Sequence, residues 1–398
     1  MKRFAERLSR IQPSATVAIS TKARQLAAEG KDILSFSMGE PDFDTPEHIK
    51  KGAAQAIVDG ATRYTAATGT PELKKAICDA AERRRGVKWT PAECAVSVGA
   101  KHVLFNLALC LFEKGDEVVI PAPYWVSYPE QVSLAGAEPV IVETTEESGF
   151  KVLPEQLKAA LTPATKAVVL CSPSNPTGSA YTEAELRALA DVLAEHECWI
   201  IVDEIYGELV YEGFDQKSLA TVAPELRDRL LVVDGVSKTY AMTGWRIGWL
   251  LAPAEVIAAC NKLQGQSTTN PTAVAQEAAR YAVAETQDCV AEMRGAFEKR
   301  RDRIVEGLNA IEGVSCRKPE GAFYAFANVQ GLLGKADGDR TITTDLDLCD
   351  YLLDTVGVAL VPGSAFGAPG YVRISYAAST EQIDEGLRRL GQAAAKLA

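Results

Sequence analysis

Three histidines, at positions 48, 102 and 196, are all that this 398-residue chain contains. A multi-histidine metal centre or a histidine-based catalytic triad therefore has little material to work with. The nine cysteines are odd in number, stand singly and form no CxxC, and Cys110, Cys171, Cys198 and Cys260 sit in apolar runs. A disulfide framework or a zinc site is not expected; reduced core thiols in a cytoplasmic protein are the plain reading. Positive charge is also short, with 42 Lys and Arg against 53 Asp and Glu, a formal net charge of −11. Nothing basic is left over to neutralise nucleic acid or an anionic membrane, although a small anionic ligand needs only a few local cations. No window approaches the roughly 18 uninterrupted apolar residues of a membrane span. The start, MKRFAERLSRIQPSATVAIS, lacks the apolar stretch of a signal peptide.

What is present is the composition of an ordinary globular protein, 47% hydrophobic and 24% charged, in a chain long enough for two domains. From about residue 46 strand-like and helical segments alternate. Residues 72–85 read as a helix, 94–98 as a strand and 101–113 as a helix opening on Lys101. Strand-like runs follow at 115–121, 137–143, 166–173, 198–204, 229–235 and 246–253, with a helix over 182–196. Short β-branched runs between helices predict an α/β fold with a mostly parallel, doubly wound sheet. Residues 273–312 read as one or two long helices. Beyond Gly313, the segments 321–329, 357–363 and 370–377 look like strands of a smaller sheet, closed by an amphipathic helix over 380–397. The expected division is a large domain over 46–290 and a discontinuous small α+β domain from 1–45 and 291–398.

Polar residues fall where such a sheet puts its ligand, outside the carboxyl ends of the strands. Asp203 ends CWIIVD, Asn175 follows KAVVLCSPS, and Lys238 lies just past RLLVVDGVS; Gly99 and Ala100 separate CAVSV from the helix beginning KHVLFN. One crevice could thus receive a lysine, a carboxylate, an amide and a helix N-terminus. Singly, each has a plainer explanation. An aspartate after a strand is usually a cap or turn residue, a lone lysine is usually solvated, and SPSNPTG (172–178) could be a Pro/Asn/Gly loop.

Together the segments resemble a known family. SFSMGEPDFDTP (35–46), RYTAATGTPELK (63–74), PYWVSYPE (123–130), SPSNPTG, VDEIYGEL (202–209) and SKTYAMTGWRIG (237–248) are similar, in order, to the motifs of the class I/II aminotransferases, enzymes of fold type I that use pyridoxal 5′-phosphate. With PSATVAI (13–19) the likeness is to the bacterial aspartate and prephenate subgroup. The resemblance implies that Lys238 holds the cofactor covalently and then serves as base, and that Asp203 faces the pyridine nitrogen. It places Asn175 and Tyr206 on the ring's 3-oxygen and Trp125 against the ring face. The phosphate would lie at Gly99, Ala100 and Lys101, completed by Ser237 and Arg246, with Tyr64 reaching in from a neighbouring subunit of a homodimer. Arg373 would take the α-carboxylate of the amino or 2-oxo acid, with Gly39 close by. The plainer alternatives are core packing for Trp125 and Tyr206, a surface salt bridge for Arg246, whose flanks Gly244-Trp245 and Ile247-Gly248-Trp249 suit a solvated face poorly, and a solvent-facing strand position for Arg373.

For the second carboxylate of aspartate, GQSTTNPTA (265–273) offers no basic residue, and the subgroup resemblance points to Lys101 and Ser14. Two departures stand out. Prephenate-active members carry a lysine where this chain has Gln12, and the usual Gly-Gly-Lys-Gln turn is Gly99-Ala100-Lys101-His102. The expectation is an aspartate:2-oxoglutarate aminotransferase. Alternatives are an aminotransferase for prephenate, aromatic or other amino acids, a cofactor-dependent β-lyase or cyclopropane-forming synthase on the same fold, and a non-enzymatic cofactor-binding regulator domain.

Overall fold

The computed structural model describes residues 4–398. Its centre is a seven-stranded sheet of β1 (Cys94–Ser97), β2 (Glu117–Ala122), β3 (Glu138–Glu143), β4 (Thr165–Cys171), β5 (Trp199–Asp203), β6 (Leu230–Gly235) and β7 (Gly248–Leu251). The spatial order is β1-β7-β6-β5-β4-β2-β3, parallel throughout except for β7, which runs antiparallel to both neighbours. Strands β1 and β7 are buried at every residue, as expected of a sheet covered by helices on both faces. Two apolar clusters fill those faces, one centred on Val168, Ile200 and Leu230, the other on Val118, Ile201 and Leu231. The alternation along each strand assigns neighbouring residues to opposite cores.

The helices used below are α1 (Ala15–Ala28), α2 (Pro71–Arg85), α3 (Ala100–Leu111), α4 (Ser127–Ala135), α5 (Glu183–Ala194), α6 (Ala273–Ala284), α7 (Asp288–Asn309) and α8 (Thr380–Ala394). The expected long helical region is two helices, because Glu285 is extended and its amide already closes α6 on Tyr281. A four-stranded antiparallel sheet follows, β8 (Ser315–Cys316), β9 (Tyr324–Asn328), β10 (Val361–Pro362) and β11 (Tyr371–Ser375), in the order β10-β11-β9-β8. A third core, with Phe297, Phe323, Leu352, Ile374 and Ile383, packs beneath it. Tyr206 and Leu209, from the loop after β5, belong to this third core as well.

Two expected strands need correction. Residues 357–363 are not one strand: Val358–Ala359 pair in parallel with Leu34–Ser35, and only Val361–Pro362 join β11. The segment passes from one sheet to the other at Leu360, so its apolar run reflects burial on all sides rather than one ladder. Residues 246–253 yield a strand only from Gly248, because Arg246 is left-handed, with φ +58°.

Candidate active site

The loops at the carboxyl ends of β4, β5 and β6, the N-terminus of α3, and the small sheet enclose a cavity of about 420 Å³. Eleven of the residues singled out from the sequence line it: Gly39, Ala100, Lys101, Trp125, Asn175, Asp203, Tyr206, Ser237, Lys238, Arg246 and Arg373. Among the described residues no group of three or more His, Cys, Asp or Glu side chains could hold a metal ion.

Lys238 stands just beyond β6, its ammonium nitrogen donating to the carbonyl of Gly39 at 2.6 Å. Burial pulls its pKa down to about 8, with Arg246, Arg373 and Lys101 also destabilising the charge and Glu40 opposing them. A lysine that loses its proton near neutrality is a competent nucleophile and base. A Cβ on Gly39 would collide with Tyr324 Oη, so the bare glycine lets the backbone pass close to that hydroxyl.

Asp203, the last residue of β5, is buried. Its Oδ2 accepts from Tyr128 Oη at 2.7 Å and its Oδ1 from the amide of Ile205 at 3.2 Å. Burial raises its pKa, while those two donors and Lys238 pull it the other way. Tyr128 comes from α4, and nothing in the sequence pattern distinguished it from a core tyrosine.

Arg373 does not point to solvent; it is 2% exposed. Its Nη1 donates to Asn175 Oδ1 at 3.0 Å and its Nη2 to the carbonyl of Ser37 at 2.6 Å, while Nε is buried without a partner. The guanidinium lies between aromatic faces, 4.6 Å from the Tyr324 centroid and 5.0 Å from that of Phe366. Tyr324 Oη is in turn 2.7 Å from Tyr206 Oη, and burial raises the pKa of both phenols, so both remain protonated donors. A buried cation with an orphaned N–H beside the cavity is a ready receptor for a carboxylate.

At the other end, α3 begins at Ala100 behind Gly99, which has φ +84° and offers no side-chain cap. The amides of Ala100 and Lys101 are first-turn donors without an intrahelical acceptor. A Cβ on Gly99 would meet Arg246 Nη2 at 2.5 Å, so the bare glycine lets the guanidinium sit against the turn. Free amides, a helix dipole and an arginine make an anion cradle suited to a phosphate. Lys101 Nζ lies 4.8 Å from the Trp125 ring centroid, and partial burial plus Arg246 lower its pKa.

Gly99 itself lies behind this turn rather than in the lining, and Ser14 and Tyr64 stand outside the cavity. Ser14 Oγ hydrogen-bonds Thr16 Oγ1 at 2.9 Å, and it is Thr16 that reaches the lining. Tyr64 is 89% exposed. The backbone N–H of Gln12 donates to Glu130 Oε2 at 2.7 Å. Residues that sequence reasoning did not single out include Arg24, Ser37, Met38, Tyr128, Cys171 and Tyr324. Ser37, Met38 and Tyr128 lie inside segments that carry the family resemblance, and Cys171 and Tyr324 inside apolar strand runs.

The family profile described as aminotransferase class I and II matches residues 31–390. An aspartate/prephenate aminotransferase from Cereibacter sphaeroides is 49% identical over 97% of each chain, and an aspartate aminotransferase from Geobacillus stearothermophilus 47% identical over 98% of each. The crystal structure of the aspartate aminotransferase from Rhizobium meliloti superposes with a TM-score of 0.97 at 45% identity over all of both chains. With a mostly parallel sheet, a partly buried lysine beyond its carboxyl edge, and this likeness along its whole length, the chain is an enzyme that moves amino groups between amino acids and 2-oxo acids, and it belongs to the class I and II aminotransferases.

Proposed function

We propose that this aminotransferase uses pyridoxal 5′-phosphate to transfer the amino group of L-aspartate to 2-oxoglutarate. The observation that carries the reading is one cavity lined by both an amine whose pKa is pulled down to about 8, Lys238, and a buried arginine with an unpartnered Nε, Arg373. When bound, the cofactor supplies a carbonyl carbon and an electron-withdrawing ring. Lys238 would hold the cofactor and, as a free amine, would take and return the proton at the substrate's α-carbon. Asp203, oriented by Tyr128, holds a proton on the ring nitrogen. Asn175, Tyr206 and Trp125 would hold the ring, and the turn of Gly99, Ala100 and Lys101 with Ser237 and Arg246 would hold the phosphate.

Arg373 binds the α-carboxylate of either substrate, beside Gly39. For the distal carboxylate we assign Lys101, which is poorly placed at a helix N-terminus unless an anion is nearby, with Ser14 acting through Thr16. The relatives named for aspartate support that choice of donor. Prephenate is the second reading, favoured by the name of the Cereibacter relative and opposed by Gln12 in place of a lysine. We further propose a homodimer in which Tyr64 completes the partner's phosphate site. A reducing, cytoplasmic setting is proposed on the nine free thiols.

The test is a panel of amino donors against 2-oxoglutarate with the purified enzyme. Glutamate formed fastest from aspartate supports the reading; ammonia and pyruvate in place of an exchanged amino group would establish a lyase. Borohydride reduction should fix a phosphopyridoxyl mass on the peptide containing Lys238, and label on any other lysine overturns the assignment.

A further inference from the structure

The cavity differs in charge from the molecule around it. Five basic side chains line it, Arg24, Lys101, Lys238, Arg246 and Arg373, against the single carboxylate of Asp203, in a chain whose formal net charge is −11. Four of these already have roles in the reading above. Arg24 has none.

Arg24 is carried on α1, one turn beyond Ser20 and two beyond Val17, all three in the cavity lining. Residues spaced by three and four share a helix face, so this stripe of α1 forms part of the cavity wall. Val17 is 59% exposed and Met38 44% exposed although both line the cavity, which marks this part of the wall as its mouth. Ser20, buried, fixes the stripe in place: its hydroxyl is 2.9 Å from Ser37 Oγ, and the carbonyl of Ser37 accepts from Arg373 at 2.6 Å.

The guanidinium of Arg24 makes one hydrogen bond, from Nε to the carbonyl of Ser20 in its own helix at 3.4 Å, and among the described residues it is paired with no carboxylate. Arg300 and Arg303, by contrast, are paired with Asp42 and Asp384, whereas Arg246 and Arg373, which line the same cavity, pair with no carboxylate either among the described residues. An arginine with four unused N–H donors at the mouth of a cation-rich cavity is placed to meet an anion arriving from solvent.

We propose that Arg24 is a specificity-determining residue that draws the second carboxylate of a dicarboxylic substrate into the mouth and favours such substrates over monocarboxylic ones. The inference rests on the dicarboxylic reading given above. Aspartate and 2-oxoglutarate each carry one more negative charge than alanine and pyruvate, so a cation at the mouth discriminates between the two classes. Arg24 makes no contact with Lys238, Asp203 or Tyr128, so its effect falls on binding and not on proton transfer.

The experiment compares wild-type holoenzyme with Arg24→Gln and Arg24→Lys, using aspartate and alanine as donors at low and high salt. Calorimetric titration with maleate, a dicarboxylate without an amino group, supplies a readout independent of turnover. In Arg24→Gln, kcat/KM for aspartate should fall about two- to fivefold through KM, as for a solvent-accessible charge pair, with alanine changed much less. Maleate should weaken by a similar factor, the salt dependence for aspartate should flatten, and Arg24→Lys should retain most of the preference. Equal changes for both donors, an unaltered maleate affinity, or a lysine variant behaving like the glutamine one would each overturn the proposal. A wild-type enzyme without preference for aspartate over alanine would sink the dicarboxylic reading and this inference with it. Preference retained in wild type and unaltered in Arg24→Gln would sink the inference alone.

Discussion

Arg373 is held on four sides, by Asn175, the Ser37 carbonyl, Tyr324 and Phe366, while its Nε has no partner. Its replacement by alanine should raise KM for every amino and 2-oxo acid by on the order of 2–5 kcal/mol, the loss typical of a desolvated charge pair. A rise confined to dicarboxylic substrates would assign Arg373 to the distal carboxylate instead. Lys238 gives a pH prediction. Its folded pKa of about 8 lies below the ordinary 10.5, so the neutral amine dominates above pH 8. Cofactor uptake by the cofactor-free enzyme should rise with pH and level off just above 8, followed by the development of visible absorbance; a rise continuing to pH 10 would contradict the burial argument. The sign for stability is the same: between about 8 and 10.5 the unfolded chain keeps a proton that the folded one has lost, so this group's contribution to stability grows with pH across that window. Lys238, Asp203 and Asn175 stood out in the sequence because each lies at or within a few residues of the carboxyl end of a β-branched run. Tyr128 and Tyr324 could not: a tyrosine inside an apolar helix or strand looks the same whether its hydroxyl meets a carboxylate or merely reaches the surface.

The proposed cofactor site puts the phosphate at the N-terminus of α3. Gly99→Ala would place a methyl group at φ +84° and within 2.5 Å of Arg246 Nη2, straining the turn and displacing the guanidinium together. Cofactor affinity, measured by equilibrium dialysis, should weaken by roughly tenfold or more, the scale of a lost charge-assisted hydrogen bond. A control is the capping box of α5, where Thr182 Oγ1 accepts from the Glu185 amide at 3.3 Å. Thr182→Ala should cost about 1 kcal/mol of stability by denaturant titration and leave cofactor affinity alone. If Gly99→Ala behaved like the control, the turn would have no part in phosphate binding. The strands of the large sheet were legible because β1, β4, β5, β6 and β7 are short apolar runs between helices. The segment 357–363 was not, since a stretch buried on every side has no periodicity to show that it serves two sheets.

Across the whole molecule, Asp203, Asn175 and Lys238 come from the edge of the large sheet, whereas Arg373 and Tyr324 come from the small one. Tyr64 stands outside the cavity and is 89% exposed, following the exposed Ile57 and Val58 in the chain. The proposal that Tyr64 completes the phosphate site of a neighbouring subunit is tested by a complementation experiment, which separates it from a role in its own subunit. In a hybrid of one Tyr64→Ala subunit with one Lys238→Ala subunit, the shared-site arrangement leaves one site with both the native lysine and the native tyrosine, and the other with neither. Activity should then reappear on mixing, toward half of the wild-type value per hybrid. If Tyr64 served its own subunit, each site of the hybrid would carry one defect, and mixing would restore nothing. The measurement needs differently tagged subunits, so that hybrids are purified and counted before they are assayed. Verified hybrids without recovered activity would rule out the shared site, whatever the oligomeric state proved to be.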